Sequence, residues 1–90
     1  MSFEFEDTER RLQVLRVALS DLMTQSEAEV ACEYIDHGEY QLALEHLGDV
    51  ASCAKEPIPE EALENFLVLG SRMEDAAVDW GTLKELGSGL

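Results

Sequence analysis

The fold of this 90-residue chain is decided by the stretch His37-Gly38-Glu39-Tyr40-Gln41-Leu42-Ala43-Leu44-Glu45. The stretch ends one predicted helix, turns on a glycine and begins the most regular amphipathic helix of the chain. Glycine is the usual residue at the left-handed position that follows the C terminus of a helix. The sequence therefore predicts a helix–turn–helix corner centred on Gly38.

Two helices are predicted to meet at this corner. The first begins at a capping box formed by Ser26 and Glu29 and ends at His37. The second runs from about Glu39 to Ala54. Its apolar stripe consists of Tyr40, Ala43, Leu44, Leu47, Val50, Ala51 and Ala54. Leu42 projects from the opposite side, so it either packs under another helix or is an apolar residue surrounded by acids.

The rest of the chain also has helical periodicity. A helix is predicted from Thr8 to Met23, capped by Asp7 or Thr8, with Arg10, Arg11 and Arg16 in solvent. A proline linker, 55–59, precedes a fourth helix whose buried line is Leu63, Phe66, Leu67, Gly70 and Met73. Gly70 is expected to allow close approach of another helix.

The end of the chain predicts a short fifth helix. Asp79 can cap it, and it runs from Trp80 to Leu86, while residues 87–90 are predicted to be a frayed tail. No segment alternates with a period of two for long enough to form a strand. We therefore predict a single all-α domain over residues 1–90, a small bundle of four helices, or five with the short last one.

Negative charge is concentrated in the middle of the chain. The net charge is −14, and residues 26–54 contribute −7 because they hold seven acids and no lysine or arginine. The flanking parts contribute −2 and −5. Like charges four residues apart weaken a helix, as Glu29 and Glu33 do. A surface that keeps this repulsion favours a basic partner, although a merely solvated surface is the alternative.

The sequence predicts no catalytic, metal or cofactor site. His37 and His46 lie on different predicted helices, and no CxxC or HExxH motif is present. Cys32 and Cys53 have acidic neighbours, which make a thiol less reactive, so both are predicted to be buried, reduced structural cysteines. Acyl carrier proteins are also small, acidic and helical, but the chain has no Asp-Ser dipeptide to carry their prosthetic group.

The location of the protein is expected to be cytoplasmic. The first residues are acidic where a secretory signal would be basic. No apolar run approaches the roughly 20 residues that span a bilayer. The net charge also disfavours binding to nucleic acid or to an anionic membrane.

Several short motifs of the chain resemble those of a known family. The matching residues are Gly38, Glu39, Tyr40, Leu42, Ala43, Leu44, Glu45 and Leu47, followed by Pro57, Ile58, Glu60, Glu61 and Met73. Over about residues 26–86 this pattern resembles the MafI-like immunity proteins of bacterial polymorphic toxin systems. The resemblance implies a cytoplasmic all-α protein that neutralises a cognate toxin, often a nuclease, by covering its active or substrate-binding surface.

The acidic segment then supplies the expected contact residues. The toxin-binding residues are predicted to be Glu29, Glu33, Asp36, Glu39, Leu42 and Glu45. Tyr34 or Leu42 could add an apolar anchor if it is exposed. The alternative function is an acidic interaction module or adaptor unrelated to a toxin. An exposed Leu42 would also suit a contact between two copies, so a homodimer is a further alternative.

Overall fold

The structure, a computed structural model, describes residues 3–87 and is built from helices alone over that part of the chain. The predicted all-α bundle with a short fifth helix is confirmed. The helices are α1 (Phe3–Ala18), α2 (Gln25–Asp36), α3 (Tyr40–Ala54), α4 (Glu60–Arg72) and α5 (Trp80–Gly87), and a 3-10 turn (Ser20–Leu22) follows α1.

The helices enclose one apolar core. α1 packs mainly against α4 and α3, α2 packs against α3 and α1, and α5 rests on α3 and α4. The largest fully buried side chains are Leu12, Leu15, Leu19, Ile35, Leu44, Leu47, Phe66, Leu69 and Leu83. Each of the five helices contributes at least one of them, so no helix can leave the bundle without exposing apolar surface. The burial of that surface is the main source of stability in such a bundle.

The boundaries of α1 differ from the prediction at both ends. The helix begins at Phe3, so Asp7 and Thr8 lie inside it and do not cap it. Both side chains are buried although they are polar, so the spacing of apolar residues does not reveal where the helix begins. At its other end α1 stops at Ala18, and the 3-10 turn at Ser20–Leu22 follows where the helix was predicted to continue.

The capping box of α2 lies two residues earlier than predicted. Thr24 Oγ1 accepts a hydrogen bond from Glu27 N at 3.1 Å, and Glu27 Oε1 accepts one from Thr24 N at 2.9 Å. The prediction of Ser26 with Glu29 was therefore wrong, although both pairs have the required spacing. With Thr24 as the N-cap, α2 begins at Gln25, two residues before the predicted start.

The corner between α2 and α3 has the predicted geometry. Gly38 has a φ of +72°, in the region that residues with a side chain rarely adopt. Its N–H donates to Ile35 O at 3.1 Å, and Glu39 N donates to Tyr34 O at 2.8 Å. His37 Nδ1 lies 2.9 Å from Glu33 O and donates to it. The last carbonyl groups of α2 are thus satisfied within the corner.

α5 docks on α4 through two glycine contacts. A Cβ atom added at Gly70 would lie 2.5 Å from Cη2 of Trp80, so the indole ring occupies the space that a side chain would need. The predicted close approach at Gly70 is confirmed. Gly87 contacts Leu63 in the same way and belongs to α5, so it is not part of a frayed tail; residues 88–90 lie outside the described residues.

The buried line of α4 is shifted from the predicted one. Leu67 is exposed, while Ala62, Asn65 and Leu69 are buried beside Phe66. Asn65 is polar but buried, so the sequence alone suggests that this side of α4 is exposed. Asp79 caps α5 as predicted, because its Oδ1 accepts a hydrogen bond from Thr82 N at 3.1 Å.

Candidate functional site: the acidic surface of α2 and α3

The outer side of α2 is an exposed row of carboxylates. Glu29, Glu33 and Asp36 are all exposed, and Ala31 and Ile35 are buried on the opposite side of the helix. Gln25 Nε2 lies 3.4 Å from Glu29 Oε1. Among residues 3–87, no lysine or arginine forms an ion pair with these three acids. The structure therefore groups three of the predicted contact residues on one exposed surface.

The start of α3 adds an acid and an apolar residue. Glu39 is exposed immediately before the helix. The Leu42 side chain is 44 % exposed, so of the two alternatives it is the apolar residue on an acidic surface and is not packed under another helix. Tyr34 is half-buried and packs against the core. Leu42 is thus the more accessible of the two proposed apolar anchors.

Glu45 has a partner within the chain. It is half-buried, and its Oε2 accepts a hydrogen bond from Ala77 N at 2.8 Å. Ala77 lies in the loop between α4 and α5, and Val78 of that loop packs against Gly48. The carboxylate of Glu45 therefore holds this loop on α3, a role that the sequence did not predict.

A groove of about 300 Å³ lies between the 3-10 turn, the start of α2 and the second half of α3. Leu22 and Val50 are apolar parts of its lining, and Glu27 and Asp49 bring carboxylates to it. His46 also lines it, and its Nε2 donates to Glu27 O at 2.8 Å. The ring of His46 also meets Tyr34 edge-on, with 6.1 Å between the ring centroids.

The two cysteines have different environments. Cys32 is half-buried, whereas Cys53 is exposed beside this groove, and both are free thiols. The prediction that both are buried was therefore wrong for Cys53. It lies on the same side of α3 as Asp49, one turn further along, and not on the apolar stripe.

The strongest electrostatic cluster lies away from the acidic surface. Asp7, only 8 % exposed, accepts hydrogen bonds from Arg10 and Arg11 in α1 and from Arg72 in α4. These bonds, that of Arg11 first, hold the pKa of Asp7 well below its usual range. Arg11 also donates to Asn65 Oδ1 at 3.0 Å. The prediction of solvated arginines was therefore wrong for Arg11, and also for Arg16, which is half-buried and donates to Gln13 Oε1 at 2.9 Å.

The sequence contained part of the signal for this cluster. Asp7, Arg10 and Arg11 have the three- and four-residue spacings of helical ion pairs. They would have been recognised if α1 had been predicted to begin before them. Arg72 binds Asp7 and also donates a hydrogen bond to Thr8 Oγ1 at 3.1 Å. Arg72 and Thr8 are 64 residues apart in the sequence, and no local pattern predicts such a distant partner.

The described residues contain neither a candidate metal site nor a candidate membrane-spanning helix. Over residues 3–87, no group of three His, Cys, Asp or Glu side chains is placed to hold a metal ion. Within the same residues, none of the helices combines the length and the apolar character needed to cross a membrane.

The structure thus defines a small all-α bundle with an acidic, largely unpaired surface on α2 and α3. Comparisons of the chain with protein-family models, with curated proteins and with solved structures find no match.

Proposed function

We propose that this protein is an immunity protein, which binds a cognate basic toxin and covers its active or substrate-binding surface. The observation that carries the proposal is the exposed row Glu29, Glu33 and Asp36, which has no cationic partner among residues 3–87. A nuclease holds its anionic substrate with basic residues, and an acidic surface competes for them. The resemblance to MafI-like proteins supports the same function.

In this proposal the protein acts by binding and performs no chemistry. The carboxylates of α2 pair with lysine and arginine side chains of the toxin, and Glu39 extends their row beyond the corner. Leu42 supplies apolar contact area, since interfaces depend on a few well-placed anchors as well as on charge. The expected location is the cytoplasm, where a producing cell must neutralise its own toxin.

The decisive experiment pairs this protein with the product of the neighbouring gene. Cells that express that product alone should stop growing, and co-expression of this protein should restore growth. The two proteins should also purify as a complex. A neighbouring product that is harmless and does not bind would refute the immunity function and leave the adaptor alternative.

A charge-reversal pair tests the contact surface. Glu33→Lys with Asp36→Lys should slow association with the toxin and reduce its dependence on salt, because electrostatic steering acts mainly on the association rate. Glu61→Lys with Glu64→Lys is a matched control, since these two exposed acids of α4 have the same spacing and the same change in charge. Equal effects of the two pairs would show that only the net charge matters.

A further inference from the structure

The groove between the 3-10 turn, α2 and α3 has the two features that a basic side chain requires. Its apolar lining is formed by Leu22 and by Val50, which is 5 % exposed. Carboxylates reach it from α2 and α3. We propose that this groove receives the side chain of a lysine or arginine from the basic partner. The inference rests on the proposed function and adds a specific contact site to it.

The apolar lining suits the hydrocarbon part of such a side chain. Lysine and arginine bury their methylene groups along apolar surface while the charged end stays near water or near an acid. A groove of about 300 Å³ has room for one long side chain but not for a helix. The expected contact is therefore a single inserted residue.

Charge complementarity decides the occupant. Glu27 and Asp49 line the groove, Asp49 is exposed, and residues 26–54 hold no lysine or arginine. Glu27 already accepts a hydrogen bond from Thr24 N, so Asp49 is the more available partner. The nearest cation along the chain is Lys55, which is exposed beyond the end of α3.

A second pocket provides a useful contrast. It lies where α1, α3 and α4 meet, and Phe5, which is 60 % exposed, lines it with Tyr40. Glu4 and Arg72 both line this pocket, so its lining already contains a cation beside the acid, whereas the lining of the groove contains acids and no lysine or arginine. The apolar surface at Phe5 is therefore not the expected site for the same ligand.

The groove is held in shape before any partner arrives. His46 on α3 donates to the carbonyl oxygen of Glu27 on α2, and its ring packs against Tyr34. These contacts fix the two helices that form its walls. A preformed site costs less ordering on binding than a flexible one.

The site can be tested on the isolated protein with a simple probe. The probe is a capped Gly-Gly-Arg-Gly-Gly peptide, and peptides with Leu or Glu at the centre are the controls. Amide chemical shifts should change around Leu22, Asp49 and Val50 with the Arg peptide alone. The same peptide should slow the alkylation of Cys53 by iodoacetamide, because that thiol is exposed beside the groove.

Two variants with the same change in charge separate the groove from the general acidity. Asp49→Asn should weaken binding of the Arg peptide about threefold, the size expected for one exposed charge pair. Glu64→Gln, on the exposed side of α4 and outside both the groove and the acidic row of α2, should leave it unchanged. Alkylation is compared with and without peptide within each variant, so that each variant serves as its own reference.

The outcomes distinguish this inference from the proposed function. Shifts confined to the groove and reduced by Asp49→Asn support it. Shifts only at Glu29 to Asp36, an equal response to the Leu peptide, or no response at millimolar peptide would overturn it. The neighbouring gene product tests the function separately, because a failure to bind that protein leaves the peptide result standing.

Discussion

Arg72, the last residue of α4, donates a hydrogen bond to the buried carboxylate of Asp7 in α1, with 2.9 Å between Arg72 Nη2 and Asp7 Oδ2. Arg10 and Arg11 bind the same carboxylate from within α1. Asp7 therefore links the two helices by charge as well as by packing. A buried acid of this kind is stable only while its cationic partners remain in place.

Asp7→Asn is expected to lower the free energy of unfolding at pH 7, because it leaves Arg11 and Arg72 half-buried without their counter-charge. The low pKa of Asp7 in the folded state sets the pH dependence. The stabilisation is complete above its unfolded pKa of about 3.9 and decreases as the pH falls towards the folded value. Urea unfolding at several pH values should show a constant difference between the two proteins above about pH 5 and a smaller one near pH 3.

Asp36→Asn is the control for this pH series, because Asp36 is exposed and no described cation pairs with it. Its effect on stability should stay within about 0.5 kcal/mol. A difference between wild type and Asp7→Asn that is the same at pH 7 and pH 3 would contradict the role assigned to Asp7.

Gly70→Val should displace Trp80 from α4, since a Cβ at position 70 would lie 2.5 Å from the rigid indole ring. Overpacking of this kind costs about 1–3 kcal/mol. Trp80 is the single tryptophan of the chain, so its fluorescence should shift to longer wavelength. Gly81→Ala in α5 meets only Asp79 Oδ1, at 3.7 Å, and should be neutral or slightly stabilising. Unchanged fluorescence in Gly70→Val would argue against the docking of α5 through Trp80.

Glu45→Ala should release the loop between α4 and α5, because it removes the acceptor of the Ala77 N–H. The expected cost is about 1 kcal/mol, with faster hydrogen exchange at Ala77. Glu45→Gln keeps an acceptor oxygen and should retain most of the protection. If both variants exchange alike, the hydrogen bond does not hold the loop. Comparing how the two variants bind the proposed toxin would also separate the charge of Glu45 from its structural role.

Thr24→Ala should destabilise the protein by about 1 kcal/mol, the usual value for the loss of an N-cap. Ser26→Ala removes the hydroxyl that the sequence alone would select as the cap, and it should have almost no effect. Thermal unfolding of the two variants decides between them. A larger loss with Ser26→Ala would move the start of α2 to the predicted position.

The fold was predictable because its main signals are local. The apolar stripe of α3, the glycine at position 38 and the proline linker each lie within a few residues of the structure that they specify. The exposure of Glu29, Glu33 and Asp36 follows from the same periodicity. Helical bundles suit sequence-based prediction for this reason, since much of their geometry follows from the spacing of apolar residues.

The errors have a common physical cause. Asp7 and Asn65 are buried polar residues, and in the sequence they look like surface positions. Asp7 obscured the start of α1, and Asn65 shifted the predicted buried line of α4 towards Leu67. Both are satisfied through Arg11, which bridges the two helices. The bond between Glu45 and Ala77 was missed for a similar reason, because its donor is a backbone group 32 residues away.

The cluster around Asp7 also shapes the field outside the molecule. Three of the six basic residues of the chain belong to it, Arg10 and Arg11 in the middle of α1 and Arg72 at the end of α4. The α2–α3 hairpin has none. The net charge of the protein is therefore unevenly distributed, and a cationic protein that comes within the screening length, about 8 Å at physiological ionic strength, exerts a torque on it. That torque turns the hairpin towards the cationic protein, and in the proposed complex it would make productive collisions more frequent than random orientation would.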